Sequence, residues 1–161
     1  MPRRRGFTLI ELLVVVAIIG IIAAVSIINL FNAIQRAKQR RSMGDMKTIA
    51  TALESYASDQ NVYPAAAALS LPSGLSLPTG TMGAISGLIF PTYIRSVPLA
   101  DGWNSFYLYG TSASKSDYAL CSAGGDGIPD TSPQGGATTS FNADIILVDG
   151  AFLQFPEGAQ R

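Results

Sequence analysis

From Leu12 through Gln35 the chain carries no charged residue. A run of about 20 predominantly apolar residues is what a helix needs to cross the hydrocarbon of a bilayer. The residues ahead of it, Arg3-Arg4-Arg5-Gly6, are basic. A basic stretch before an apolar one first suggests a secretory signal, but the apolar core of such a signal is roughly 7–15 residues. This run is longer, and no small-residue cleavage site followed by polar sequence comes after it. The segment therefore reads as a membrane-spanning helix that the chain keeps.

No proline occurs between Pro2 and Pro64. One unbroken helix from near Phe7 to about Ser58 is expected, because only proline both removes a backbone donor and clashes with the preceding turn. Gly20 and Gly44 weaken it by roughly 1 kcal/mol each. Its first half is apolar on every side. In the second half Met43, Met46, Ile49, Ala50, Leu53, Tyr56 and Ala57 recur at spacings of three and four, with Arg40, Arg41, Asp45, Lys47 and Glu54 opposite. That is the pattern of a helix with one face in a core.

Beyond Asn61-Val62-Tyr63-Pro64 the texture changes. An Ala/Ser/Leu/Pro/Gly stretch to about Gly83 reads as a surface loop, and Ala84 to Phe90 as a short helix stopped before Pro91. Strands are expected at Ser105–Tyr109, Asp117–Ser122, Asp144–Val148 and Ala151–Phe155. Asp149-Gly150 between the last two is a strong hairpin signal. Trp103, Phe106, Tyr107 and Tyr109 are expected in the core of this sheet rather than as a carbohydrate platform. The fold class is α+β: a long N-terminal helix, transmembrane in its first half and amphipathic in its second, packed on a small C-terminal antiparallel sheet.

Composition removes several functions. Eleven basic residues balance eleven acidic ones, and no basic face marks a nucleic-acid binder. There is no histidine, and so neither the commonest general base nor the commonest transition-metal ligand. No serine–base arrangement or Gly-rich phosphate loop appears, so no enzyme is expected. The lone Cys121 cannot form an internal disulfide and is expected as a small buried apolar residue.

Gly6-Phe7-Thr8-Leu9-Ile10-Glu11, after arginines and before a long apolar helix, resembles the class III signal of type IV pilin-like proteins. The resemblance continues through Ala50-Thr-Ala-Leu-Glu54-Ser-Tyr56, Asn61-Val-Tyr-Pro64, Asp101-Gly-Trp103, Asp117-Tyr-Ala-Leu120, Gly124-Gly-Asp126-Gly127 and Ala143-Asp144-Ile145. These segments look like the major pseudopilins of type II secretion. The resemblance implies a leader, 1–6, cut by a prepilin peptidase between Gly6 and Phe7, and N-methylation of Phe7. It implies a transmembrane and assembly helix, 7–31, an amphipathic continuation, 32–60, and a periplasmic domain, 61–161. The partners implied are further copies of the chain, minor pseudopilins or pilins, an inner-membrane assembly platform and lipid. The function implied is a structural subunit of a pseudopilus driving protein secretion. A type IV pilin of a surface filament, for adhesion, motility or DNA uptake, is the alternative. A single-span membrane-anchored binding protein is a weaker one.

Glu11 is the one carboxylate at bilayer depth, where ionisable residues are costly and mark function by default. It lies four residues after Phe7, on the same helical face. In a filament the resemblance has Glu11 of an incoming subunit meet the Phe7 amine of a neighbour. The simpler reading is a carboxylate favoured by the helix N-terminus. Orientation is not set by charge counting: Arg3, Arg4 and Arg5 flank one end, while Arg36, Lys38, Arg40 and Arg41 flank the other. The resemblance alone puts the N-terminus in the cytoplasm.

Hard cations such as calcium take carboxylate and carbonyl oxygens. The resemblance implies a calcium site with Asp126 and Asp144, and spacing adds Asp130. Alternatively, the Asp-Gly pair at Asp126-Gly127 simply makes a turn.

Overall fold

The computed structural model describes residues 6–68, 78, 80–130, 133 and 135–158. Most of the leader therefore lies outside the described residues, as does much of the expected loop before Gly83. The chain divides into two compact units, residues 1–35 and 36–161.

Helix α1 runs Leu9–Gln60, two residues past the expected end. Asn61 closes it with φ 60, and its N–H donates to the Ala57 carbonyl at 2.8 Å. Asparagine tolerates this left-handed conformation, which caps many helices. Within the first unit, Ser26 Oγ donates to the Ile22 carbonyl and Asn29 Nδ2 to that of Val25. These two polar side chains thus find partners in the helix's own backbone. This helix is long and apolar enough to cross a membrane, and none of its most apolar window is buried by the chain.

In the second unit α1 turns its apolar face to a seven-stranded sheet. The strands are β1 (Ala67–Ala68), β2 (Gly80–Thr81), β3 (Leu108–Thr111), β4 (Tyr118–Ser122), β5 (Gly136–Thr138), β6 (Ile145–Val148) and β7 (Ala151–Pro156). A short helix, α2 (Gly83–Ile89), precedes β3. The main path is β1-β3-β4-β6-β7-β5, with β2 also pairing β3. The four central pairings are antiparallel as expected, but β1–β3 and β5–β7 are parallel.

Strand alternation sorts the sheet faces. Tyr118, Leu120, Ile145 and Leu147 join Met46, Ile49 and Leu53 of α1 in one cluster, all fully buried. Each such side chain contributes about 1.5–3 kcal/mol of burial. The intervening Ala119, Cys121 and Ile146 are buried outside that cluster. Asp149 (φ 45) and Gly150 (φ 78) form the tight turn joining β6 and β7, the geometry that an Asp-Gly pair supplies.

Two expectations are corrected. Tyr107 and Tyr109 are fully buried, and Trp103 packs partly buried against the core, but Phe106 is 65% exposed. It bridges back to Ala100 in an isolated pairing ahead of β3, which runs Leu108–Thr111 rather than Ser105–Tyr109. The stretch before Gly83 is not wholly a surface loop: it supplies β1, β2 and the fully buried Met82.

Candidate assembly and metal sites

At the start of α1, Thr8 and Glu11 form a reciprocal cap. Glu11 Oε2 accepts from the Thr8 N–H at 2.9 Å and from Thr8 Oγ1 at 2.7 Å, and the Glu11 N–H donates to Thr8 Oγ1 at 3.3 Å. This is a capping box, in which a threonine and a glutamate three residues on satisfy orphan donors at the helix end. The carboxylate is thus held at the helix N-terminus beside Gly6 and Phe7. Phe7 is 76% exposed, and the Gly6 backbone has open space around it. Thr8 carried no role in the sequence reading, although Thr-x-x-Glu is itself a readable cap signal.

The second site lies at the β6 end of the sheet. Asp144 is fully buried. Its Oδ2 accepts from the Asp130 N–H at 2.9 Å and from the Cys121 thiol at 3.5 Å. Gln154 Nε2 donates to its carbonyl at 3.0 Å. Among the described residues its Oδ1 has no hydrogen-bond partner. Burial, reinforced by the carboxylates of Asp130 and Asp126, pushes the Asp144 pKa up to about 6, although the Asp130 N–H and Cys121 pull it down. Asp126 stays exposed, and its Oδ1 accepts from the Ile128 N–H at 3.1 Å. The fold thus brings Asp130 and Asp144 together, with Asp126 near enough to repel. Among the described residues no three His, Cys, Asp or Glu side chains form a ligand cluster.

A hard cation at Asp144 would meet one carboxylate oxygen that has no hydrogen-bond partner among the described residues. An orphaned buried carboxylate oxygen, repelled by two neighbouring carboxylates, is what such an ion relieves. Backbone carbonyls would have to complete the shell.

Without an ion, native Asp144 holds its proton up to pH about 6, whereas the unfolded chain releases it near 4. Its contribution to stability is therefore complete below about pH 4 and lost as pH rises through about 6, on the order of 3 kcal/mol by neutrality. Asp144→Asn is expected to remove that slope. Melting of chelated wild type and variant across this range measures it, and parallel curves would refute it.

Asp101 was not picked out as a functional residue, yet it organises a turn against α1. Buried, it accepts from the N–H groups of Trp103 and Ser105, both at 2.9 Å, through Oδ1, and from Ser122 Oγ at 2.6 Å through Oδ2. The turn presents Gly102, whose N–H donates to Ser42 Oγ at 2.9 Å.

A family model for the prokaryotic N-terminal methylation motif matches residues 1–27, and one for protein G of the type II secretion system matches residues 29–140. The type II secretion system core protein G of Pseudomonas aeruginosa is 36% identical over 129 residues, covering 79% of this chain and 89% of that protein. That of Klebsiella pneumoniae is 30% identical over 133 residues, covering 81% and 91%. That of Escherichia coli is 33% identical over 125 residues, covering 78% and 84%. No solved structure matches. With a methylation motif at its start and the protein G pattern across most of the rest, the chain belongs to the type II secretion system protein G family.

Proposed function

We propose that this chain is a structural, non-catalytic subunit of a type II secretion pseudopilus, anchored by α1 and polymerised through it. The observation that carries this reading is the protein G match over residues 29–140, following a methylation motif over residues 1–27 that holds the lone acidic group of the apolar span, Glu11. In this reading a prepilin peptidase cuts between Gly6 and Phe7, and Phe7 is N-methylated. The new cation at Phe7 of one subunit then pairs with Glu11 of the next. The N-terminus faces the cytoplasm, the domain lies in the periplasm, and an inner-membrane platform with minor pseudopilins receives the subunit.

Mass spectrometry of assembled material should show a chain beginning at Phe7 with one added methyl. Polymers that retain residues 1–6 would sink the reading. A bulky replacement of Gly6 should leave the precursor uncut on a gel, because a protease must approach this backbone closely. Electron microscopy separates the alternative: long surface filaments at native expression would favour a type IV pilin.

The loop around Asp144 is proposed as a calcium site, with Asp126 and Asp130 as further candidates. Calcium should raise the melting temperature at neutral pH, by about 2.7 kcal/mol equivalent at a hundredfold excess over Kd. Chelator should reverse it, and Asp144→Asn should abolish the response. No shift in the wild type would remove the site.

A further inference from the structure

Four cations, Arg36, Lys38, Arg40 and Arg41, follow directly on the charge-free stretch. At the end of a span opposite an arginine-rich N-terminus, such residues weaken the orientation signal. Their arrangement points to a use. Arg41 is engaged with Asp45, Nε to Oδ2 at 3.6 Å. Among the described residues no carboxylate lies within 4.0 Å of Arg36 or Arg40. Both are exposed and one helical turn apart.

Arg36 stands on the rim of a groove of about 580 Å³ between α1 and the end of the sheet. Arg36, Gln39, Thr138, Thr139 and Glu157 line it. An adjoining recess of about 240 Å³ shares Arg36, Gln39 and Glu157 and adds Arg40. The lining is mixed, Phe141 and Pro156 standing beside the polar side chains, and among the described lining residues Arg36 and Arg40 bring two positive charges against the one carboxylate of Glu157.

We propose that this groove seats the phosphate of an anionic phospholipid headgroup, with Arg36 and Arg40 as its ligands. Guanidinium forks match phosphate oxygens in pairs. A phosphodiester carries one negative charge, which complements the groove. A zwitterionic headgroup brings its own cation and gains less. Depth agrees as well. At about 1.5 Å per residue, Arg36 and Arg40 lie within roughly 8 Å of the end of the charge-free stretch, and the headgroup layer extends about 5–8 Å beyond the hydrocarbon.

The test uses the full chain, unpolymerised, in nanodiscs of phosphatidylcholine alone or with added phosphatidylglycerol. Amide resonances of Thr138 and Thr139, and the Gln39 side-chain amide, should move when phosphatidylglycerol is present. In the Arg36→Gln/Arg40→Gln double variant they should stay put, while unchanged Tyr109 and Leu120 amides verify that the variant is folded. Identical spectra in both discs, or shifts that persist in the double variant, would overturn the proposal. So would the same shifts from inorganic phosphate in phosphatidylcholine discs, or shifts that track the number of chains per disc. None of these outcomes depends on filament assembly, so failure here leaves the pseudopilus reading intact.

Discussion

Gly102→Ala should cost about 3 kcal/mol or more of stability, lowering the melting temperature by about 10 °C. A Cβ on Gly102 would stand 2.5 Å from the Lys38 carbonyl oxygen, 2.8 Å from its Cα and 2.9 Å from its carbonyl carbon. These are backbone atoms in the middle of α1, so no side chain can swing aside. The turn must lift off the helix, and lifting breaks the Gly102–Ser42 hydrogen bond and disturbs the network around buried Asp101. Gly44→Ala is the control. Gly44 also sits on α1, yet a Cβ there meets nothing within 4 Å. In an open helix position that change should stabilise by about 0.5–1 kcal/mol. Circular dichroism melts of the two variants in detergent should therefore move in opposite directions. A Gly102→Ala melt that matches wild type would mean that the turn does not dock on α1 as described.

Glu11→Leu should leave processing and membrane insertion intact while reducing sedimentable polymer to a small fraction of wild type. Leucine removes both roles open to this carboxylate, so that variant alone does not tell them apart. Glu11→Gln does. A capping box accepts glutamine as readily as glutamate at this position, so the bonds to Thr8 can survive the change. The negative charge cannot. If pairing with a neighbour's Phe7 amine governs assembly, Glu11→Gln should fail almost as badly as Glu11→Leu. If the cap is all that matters, Glu11→Gln should polymerise normally, and the proposed pairing is then wrong. Quantifying pelleted polymer beside the mature monomer for both variants decides the matter.

Much of this was legible because it is local. The absence of proline and the three-and-four spacing of Met43, Met46, Ile49 and Leu53 specify α1 and its buried face without knowledge of the partner. Asp149-Gly150 announces its own turn, and α2 begins one residue from where it was expected. What escaped notice is non-local. Strands β1, β2 and β5 are two or three residues long, rich in Ala, Gly and Thr, and carry no alternation to read. Phe106 looks like core by type, but it alternates with the buried Tyr107 and Tyr109 and so points outward. The meeting of Asp130 with Asp144, and the burial that leaves one oxygen of Asp144 without a hydrogen-bond partner among the described residues, depend on the packed sheet. Glu11 stands out as the one carboxylate in an apolar run, and its bond to Thr8 was legible in the Thr-x-x-Glu spacing but was passed over.

The burial of Cys121 has a consequence for a chain proposed to stack in many copies. Its side chain is fully enclosed, and burial together with the Asp144 carboxylate pushes the thiol well above its ordinary pKa. Thiolate is the species that attacks disulfides and meets oxidants, and access is the other requirement. Crowded neighbours in an oxidising compartment would therefore not be stitched together through sulfur, and each contact between them would stay reversible.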